Sequence, residues 1–282
     1  MGKSSKSGKR KSSSRKRVHK KSNYIEIDKY DLYMKAVQSP DADAEFLRDT
    51  YKELKGKKAK IFREDFCGCF ALSCEWVKLS PQNQAWSVDL DPEPIDYGRR
   101  NILSKLKSPQ QKRLHLVEGD VLEIDLPEAD ISVAVNFSYF IFKTREKMKK
   151  YFQQVYKSLK KDGLFFVDVF GGGACQDEVV DVHKFKGFSY MWDQTGFDPI
   201  NNEALFYIHF KIGSKKIEKV FTYDWRLWSL PELRELMEEV GFTKTHVYWE
   251  GTNRKGEGNG VFTRTEKGEP CDSWIAYIVA EK

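Results

Sequence analysis

Five short β-branched or aromatic runs each end in a polar turn, and helix-like segments separate them. The ends read Arg63-Glu64-Asp65-Phe66-Cys67-Gly68, Ser87-Val88-Asp89-Leu90-Asp91-Pro92, Glu118-Gly119-Asp120-Val121, Val135-Asn136-Phe137-Ser138-Tyr139 and Asp168-Val169-Phe170-Gly171-Gly172. That alternation predicts an α/β chain with a parallel sheet and crossover helices. Strands are expected at 59–64, 85–89, 113–117, 130–136 and 163–169, with helices at about 70–79, 93–106 and 143–160. Pro92 and Pro94 suit a helix start, where a missing N–H costs little. Ligands of such sheets bind at the carboxyl ends of the strands, so the five turns converge on one site, with acids in the first three.

These residues resemble the class I S-adenosylmethionine-dependent methyltransferases. In that family the first strand ends in an acid followed by a Cys-Gly or Gly-rich turn, the second in an acid that grips the ribose, and the third in Asp plus a residue whose N–H reads the adenine. Glu64-x-x-Cys67-Gly68, Asp89 and Asp120-Val121 follow that order. More narrowly, Arg-Glu-Asp-Phe-Cys-Gly (63–68), Asp-Leu-Asp-Pro-Glu-Pro (89–94), Asn-Phe-Ser-Tyr-Phe (136–140) and Tyr-Asp-Trp-Arg-Leu-Trp (223–228) resemble a bacterial-type methyltransferase group. The likeness spans about residues 30–282.

The resemblance implies S-adenosylmethionine as cofactor and a doubly wound, seven-stranded, Rossmann-like sheet. It places Asp89 on the ribose hydroxyls, Asp120 on the adenine amino group and the Val121 N–H on a ring nitrogen. Glu64 and Asp65 compete for the methionine amine beside Cys67 and Gly68. Asp91 either shares the ribose or caps the next helix. Phe66 and Phe70 stand where the family carries flanking glycines. A leading helical segment, with Tyr33 and Gln38, would close over the cofactor, and Asn136 and Phe137 would meet it from the fourth strand end.

Asn136-Phe137-Ser138-Tyr139 partly matches the Asn-Pro-Pro-Tyr segment of amino-group methyltransferases, without its prolines. The likeness makes Asn136 and Tyr139 the catalytic candidates, Asn136 orienting an amine and Tyr139 stacking on the acceptor. The alternative is that Asn136 only caps the turn. Trp192, Arg226 and Trp228 are candidates for the acceptor. Aromatic faces stabilise positive charge, and a guanidinium forks onto a carboxylate or phosphate. Core packing is the competing role for the tryptophans, and His209 reads as a structural histidine.

Three regions are expected: a basic tail at 1–22, a helical cap at 23–57 and the methyltransferase domain at 58–282, with an antiparallel β insertion after the fifth strand at about 187–226. Phe188–Trp192, Ala204–Phe210 and Lys219–Tyr223 alternate like its strands. A helix starting at Leu230-Pro231-Glu232 should stop at Gly241. Thr245–Trp249 and Trp274–Val279 should close the sheet as a hairpin across a long loop at 251–272.

The net charge of +6 is misleading. Ten of the 48 Lys and Arg lie in residues 1–22, leaving 38 against 42 acids elsewhere, a net −4. Such a tail reads as disordered, and as a nuclear address or an RNA contact. It keeps open a ribosome- or RNA-associated methyltransferase beside one acting on a small molecule; an inactive binding module is the third reading. An NAD dehydrogenase is disfavoured, because no G-x-G-x-x-G follows the first strand. With five cysteines, no signal-like segment and no long apolar run, the sequence reads as intracellular, in nucleus or cytoplasm, without a membrane span. Cys67, Cys69 and Cys74 have no second cluster to complete a zinc site, so no metal is expected.

Overall fold

The computed structural model describes residues 28–254 and 256–282; the basic tail lies outside the described residues. Two helices lead, α1 (Lys29–Val37) and α2 (Pro40–Lys55). The first is capped by Asp28, whose carboxylate accepts from the Tyr30 N–H at 2.9 Å. The alternating part follows as β1 (Ile61–Asp65), α3 (Ala71–Leu79), β2 (Gln84–Asp89), α4 (Pro92–Asn101), α5 (Ser108–Gln111), β3 (Leu114–Glu118), β4 (Ala129–Ala134), α6 (Arg145–Ser158) and β5 (Leu159–Gly171). The insertion supplies β6 (Val179–Phe185), β7 (Phe188–Asp198), β8 (Glu203–Ile212) and β9 (Lys215–Arg226). The chain ends with α7 (Leu230–Val240), β10 (Lys244–Thr252), β11 (Gly258–Thr265) and β12 (Trp274–Glu281).

Among the described residues these strands form an eight-stranded sheet, ordered β11-β10-β12-β5-β4-β1-β2-β3, and a four-stranded sheet, ordered β6-β7-β8-β9. The strands β5-β4-β1-β2-β3 pair in parallel. β12, β10 and β11 pair antiparallel. Chain order reverses between β1 and β4, which is where a doubly wound sheet opens a ligand crevice.

The doubly wound sheet is as expected, but it has eight strands rather than seven. The extra strand, β11, lies inside the expected loop. Its Gly-rich composition hides one inward residue, Phe262, which packs on Phe46 and Tyr277 at ring-centroid distances of 5.8 and 4.7 Å. The insertion likewise has four strands, not three. Every residue of β6 is exposed, so its sequence carries no burial alternation to read.

The sheet is covered on both faces. Leu47, Trp76 and Val77 from α2 and α3 pack with Phe62, Phe166 and Val279. Phe152 and Val155 from α6 and Leu233 and Leu236 from α7 pack with Phe165 and Val167. The second helix of that layer begins with a capping box between Ser229 and Glu232 and ends at Gly241, φ 118°. Among the described residues no helix is long and apolar enough to cross a membrane.

Candidate active site

The turn after β1 carries the first acids. Phe66, Gly68 and Phe70 have φ of 55°, 51° and 47°, all left-handed. The two phenylalanines thus keep the backbone path that glycine would allow, at a strain of about 1–3 kcal/mol each. Packing holds them: Phe70 is fully buried, and Phe66 meets Phe142 and Tyr151 at 5.9 and 5.6 Å. Cys67 is buried and its N–H donates to the Val88 carbonyl at 2.9 Å. A Cβ on Gly68 would meet nothing within 4 Å, so the space above the turn is open.

Asp89 at the end of β2 is tied to that turn. Its Oδ2 accepts the Gly68 N–H at 2.7 Å and its Oδ1 the Asp91 N–H at 2.9 Å. Burial raises its pKa, and the backbone donors hold it down in part. It lines a cleft of about 630 Å³ together with Phe66, Asp91, Gly119, Asp120 and Val121. The Asp120 Oδ1 accepts the Leu122 N–H at 2.9 Å, which shapes the turn beneath the cleft. Asp91 caps α4, accepting the Glu93 N–H at 2.9 Å, so it is a helix cap that also edges the cleft.

Glu64 and Asp65 separate, because adjacent strand residues face opposite sides of a sheet. Glu64 points toward α3 and accepts the Ser73 N–H at 3.0 Å and the Ser73 hydroxyl. Burial pushes its carboxyl up to about 8, with Asp89 and Asp43 adding like charge. Asp65, expected near the cofactor, is instead closed off on the other face. It pairs with Arg63 Nε at 2.7 Å and accepts the Tyr151 hydroxyl at 3.0 Å.

The turn after β4 is built on two successive left-handed residues, Asn136 at φ 58° and Phe137 at φ 56°. Both of their N–H groups donate to the Asp168 carboxylate on β5, at 2.7 and 2.9 Å. Burial raises the Asp168 carboxyl to about 7, against the lowering by those two donors. The sequence offered Asp168 only as a strand-end acid, and its role in holding this turn was missed.

Asn136 and Phe137 line a second cavity, of about 430 Å³, with Tyr33, Phe170, Trp192, Tyr223 and Trp225. Tyr33 and Trp192 therefore belong to this chamber, together with residues of the insertion and β5. The other acceptor candidates do not reach it. Tyr139 is fully buried and its hydroxyl donates to the Asp168 carbonyl at 2.8 Å, so it braces the turn from within the core. Trp228 is buried, with its indole N–H on the Phe142 carbonyl at 3.2 Å. Arg226 stacks on Trp228 at 3.8 Å and pairs with Glu232 at 3.0 Å. Arg226 thus ties the end of the insertion to α7 and Trp228 ties it to the segment before α6, away from the chamber. His209 is structural, as expected: its Nδ1 accepts the Lys219 N–H at 2.7 Å, and Nε2 meets Asp193 at 2.9 Å.

Comparison with known proteins agrees with this geometry. The family described as a methyltransferase domain matches residues 66–167. Among solved structures, an S-adenosylmethionine-dependent methyltransferase from Clostridium acetobutylicum superposes with a TM-score of 0.65 at 15% identity, covering 89% of this chain and 95% of that one. An amino pentose methyltransferase from Micromonospora echinaspora gives 0.63 at 13% identity, covering 90% and 97%. A sugar N-methyltransferase from a Streptoalloteichus species gives 0.61 at 15% identity, covering 100% and 98%. No curated protein matches the sequence. Over residues 66–167 the chain is similar to the methyltransferase-domain family, and its fold is that of S-adenosylmethionine-dependent methyltransferases.

The residues present fit that cofactor, which carries an ammonium and a sulfonium. The acids around the turn are short of positive partners: burial also pushes the Asp43 carboxyl up to about 6, and Asp43 adds like charge to both Glu64 and Asp168. Gln38 Oε1 is buried with no hydrogen-bond partner, an acceptor that an incoming donor would satisfy.

Two outcomes are expected. Asp89→Ala weakens S-adenosylmethionine binding by about 10–100-fold through lost charged hydrogen bonds, measured by calorimetry; unchanged affinity would remove Asp89 from the cofactor site. The second concerns pH. Carboxyls with raised native pKa stabilise the fold below their unfolded pKa and lose that contribution as pH rises through the native value. Glu64, Asp168 and Asp43, at about 8, 7 and 6, make the free protein less stable as pH rises from 5 to 8. Glu64→Gln flattens the upper part of that fall in a series of thermal melts. A wild-type Tm that climbs over this range would contradict the assignment.

Proposed function

We propose that this methyltransferase acts on an amine nitrogen of a small molecule. The observation that carries the reading is the aromatic-walled cavity that Asn136 lines from the β4 turn. The names of the similar structures point the same way: they include an amino pentose methyltransferase, a sugar N-methyltransferase and a glycopeptide N-methyltransferase.

When bound, the cofactor supplies an electrophilic methyl group on sulfur. The chain's own residues then have three tasks. Asp89, Asp120 and Val121 hold the nucleoside end in the cleft. Asn136, fixed by Asp168, accepts an N–H of the acceptor through its side-chain oxygen and turns the nitrogen lone pair toward the methyl group. Phe137, Phe170, Trp192 and Trp225 exclude water, so the nucleophile reacts without a hydration shell. Placement of this kind supplies about 7–11 kcal/mol of a bimolecular barrier without covalent catalysis. The RNA-directed alternative rests on the tail, outside the described residues.

Transfer of a tritiated methyl group into fractionated lysate identifies the acceptor fraction; label confined to RNA would overturn the small-molecule reading. With that acceptor, Asn136→Ala lowers kcat by up to about 10²-fold and leaves cofactor affinity within about threefold. Full turnover in Asn136→Ala, with Asp89→Ala inactive, would sink nitrogen orientation while leaving the cofactor site intact.

A further inference from the structure

The chemistry of the cavity walls narrows the acceptor. Phe137 lies edge-on to Phe170 at 4.7 Å, Tyr223 meets Trp225 at 4.5 Å, and Trp192 meets Tyr223 at 5.8 Å. Part of the polar capacity within this wall is already used. The Tyr33 and Tyr223 side chains act on each other within the wall, and burial raises the pKa of both hydroxyls. Gln194 Nε2 donates to the carbonyls of Ala174 and Asp177 at 2.9 and 3.0 Å. A ligand with several hydroxyls would set those that face the aromatic rings and Val37, Val179, Ile208 and Ile275 against apolar surface, and each unpartnered group costs binding free energy.

Charge narrows it again. Among the described residues no Lys, Arg or His lines the cavity, and the one acidic lining residue is Asp181 on β6. That residue pairs in register with Trp192 on β7, so the two sit side by side at the rim. Its Oδ2 meets His183 Nε2 at 2.8 Å, and both side chains are exposed. An anionic acceptor finds no counter-charge here. A cationic one finds an acid at the entrance and electron-rich ring faces inside.

We infer that the acceptor is an apolar, aryl-bearing amine that the cavity selects over amino sugars and over anionic amines. The inference rests on nitrogen methylation as the proposed chemistry. In the transfer, the amine nitrogen forms the N–C bond as the C–S bond breaks. The bonding pair stays on sulfur and the positive charge passes to nitrogen, where the ring faces stabilise it. No side chain inside the cavity serves as a base, so the amine reacts in its neutral form. Its surplus proton leaves at the rim, where Asp181 and His183 meet solvent.

The test has a transfer arm and a binding arm. In the first, phenethylamine, tryptamine, glucosamine and glycine are compared as acceptors of labelled methyl groups. The aryl amines should exceed glucosamine and glycine at least tenfold in kcat/KM; glucosamine or glycine outpacing both would overturn the proposal. In the second, benzyltrimethylammonium, which cannot be methylated, is titrated by calorimetry into the protein without cofactor. It should bind, and Trp192→Ala should weaken it about tenfold or more. Because Trp192 stacks on Phe206 at 4.9 Å, a folding-safe variant is needed as well. Val180 lines the cavity and is 48% exposed, so Val180→Lys adds a cation at the rim without disturbing the core. It should also weaken benzyltrimethylammonium about tenfold. No binding by wild type, or binding indifferent to both variants, would refute the cage. Labelling of a phenol while both aryl amines stay inert, with the cation still bound, would refute nitrogen methylation and leave the apolar cage standing.

Discussion

The carboxylate of Asp168 is the contact on which the site depends. Two consecutive residues, Asn136 and Phe137, adopt left-handed backbone conformations, and both N–H groups end on this one side chain. Each strained residue costs about 1–3 kcal/mol, and hydrogen bonds to a charged acceptor contribute about 1.5–3 kcal/mol each, so the carboxylate offsets the strain it organises. The same residue's carbonyl takes the Tyr139 hydroxyl, which fastens the turn to the core. Two residues further along β5, Phe170 walls the aromatic cavity. One strand end therefore fixes the turn that carries Asn136 and supplies a wall of the aromatic cavity.

Around this turn the fold concentrates negative charge and divides it by role. Asp65 is neutralised within the protein by Arg63 and Tyr151. Glu64 is held by Ser73, itself the acceptor of the Ser87 hydroxyl at 2.7 Å. Asp89 is held by two backbone donors at the edge of the cleft it shares with Asp120 and Val121. A ligand carrying two cationic centres relieves the mutual repulsion of the acids that remain. The aromatic chamber on the far side of the Asn136 turn is where a methyl group leaving sulfur would emerge.

The parallel half of the fold was legible because its strands are buried runs closed by polar turns. β1 was expected at 59–64 and runs Ile61–Asp65; β2 was expected at 85–89 and runs Gln84–Asp89. What failed was whatever depends on which way a side chain faces. Glu64 and Asp65 are neighbours with the same chemistry, and only their partners, Ser73 on one face and Arg63 on the other, distinguish them. Arg226 and Trp228 have the composition of an acceptor site, yet they satisfy each other, Glu232 and the Phe142 carbonyl. Phe66 and Phe70 look like departures from a glycine loop, and the backbone takes the glycine path in spite of them. β6 and β11 escaped notice because one strand is wholly exposed and the other is Gly-rich with a single half-buried aromatic anchor.

A crystal structure with S-adenosylmethionine bound tests the central claim, that the cofactor cleft and the aromatic cavity meet across the turn held by Asp168. The account predicts the ribose on Asp89, the adenine between Asp120 and Val121, and the methyl group pointing past Asn136 toward Trp192. A cofactor whose methyl group faces away from Asn136, or whose adenine occupies the aromatic cavity, would contradict it.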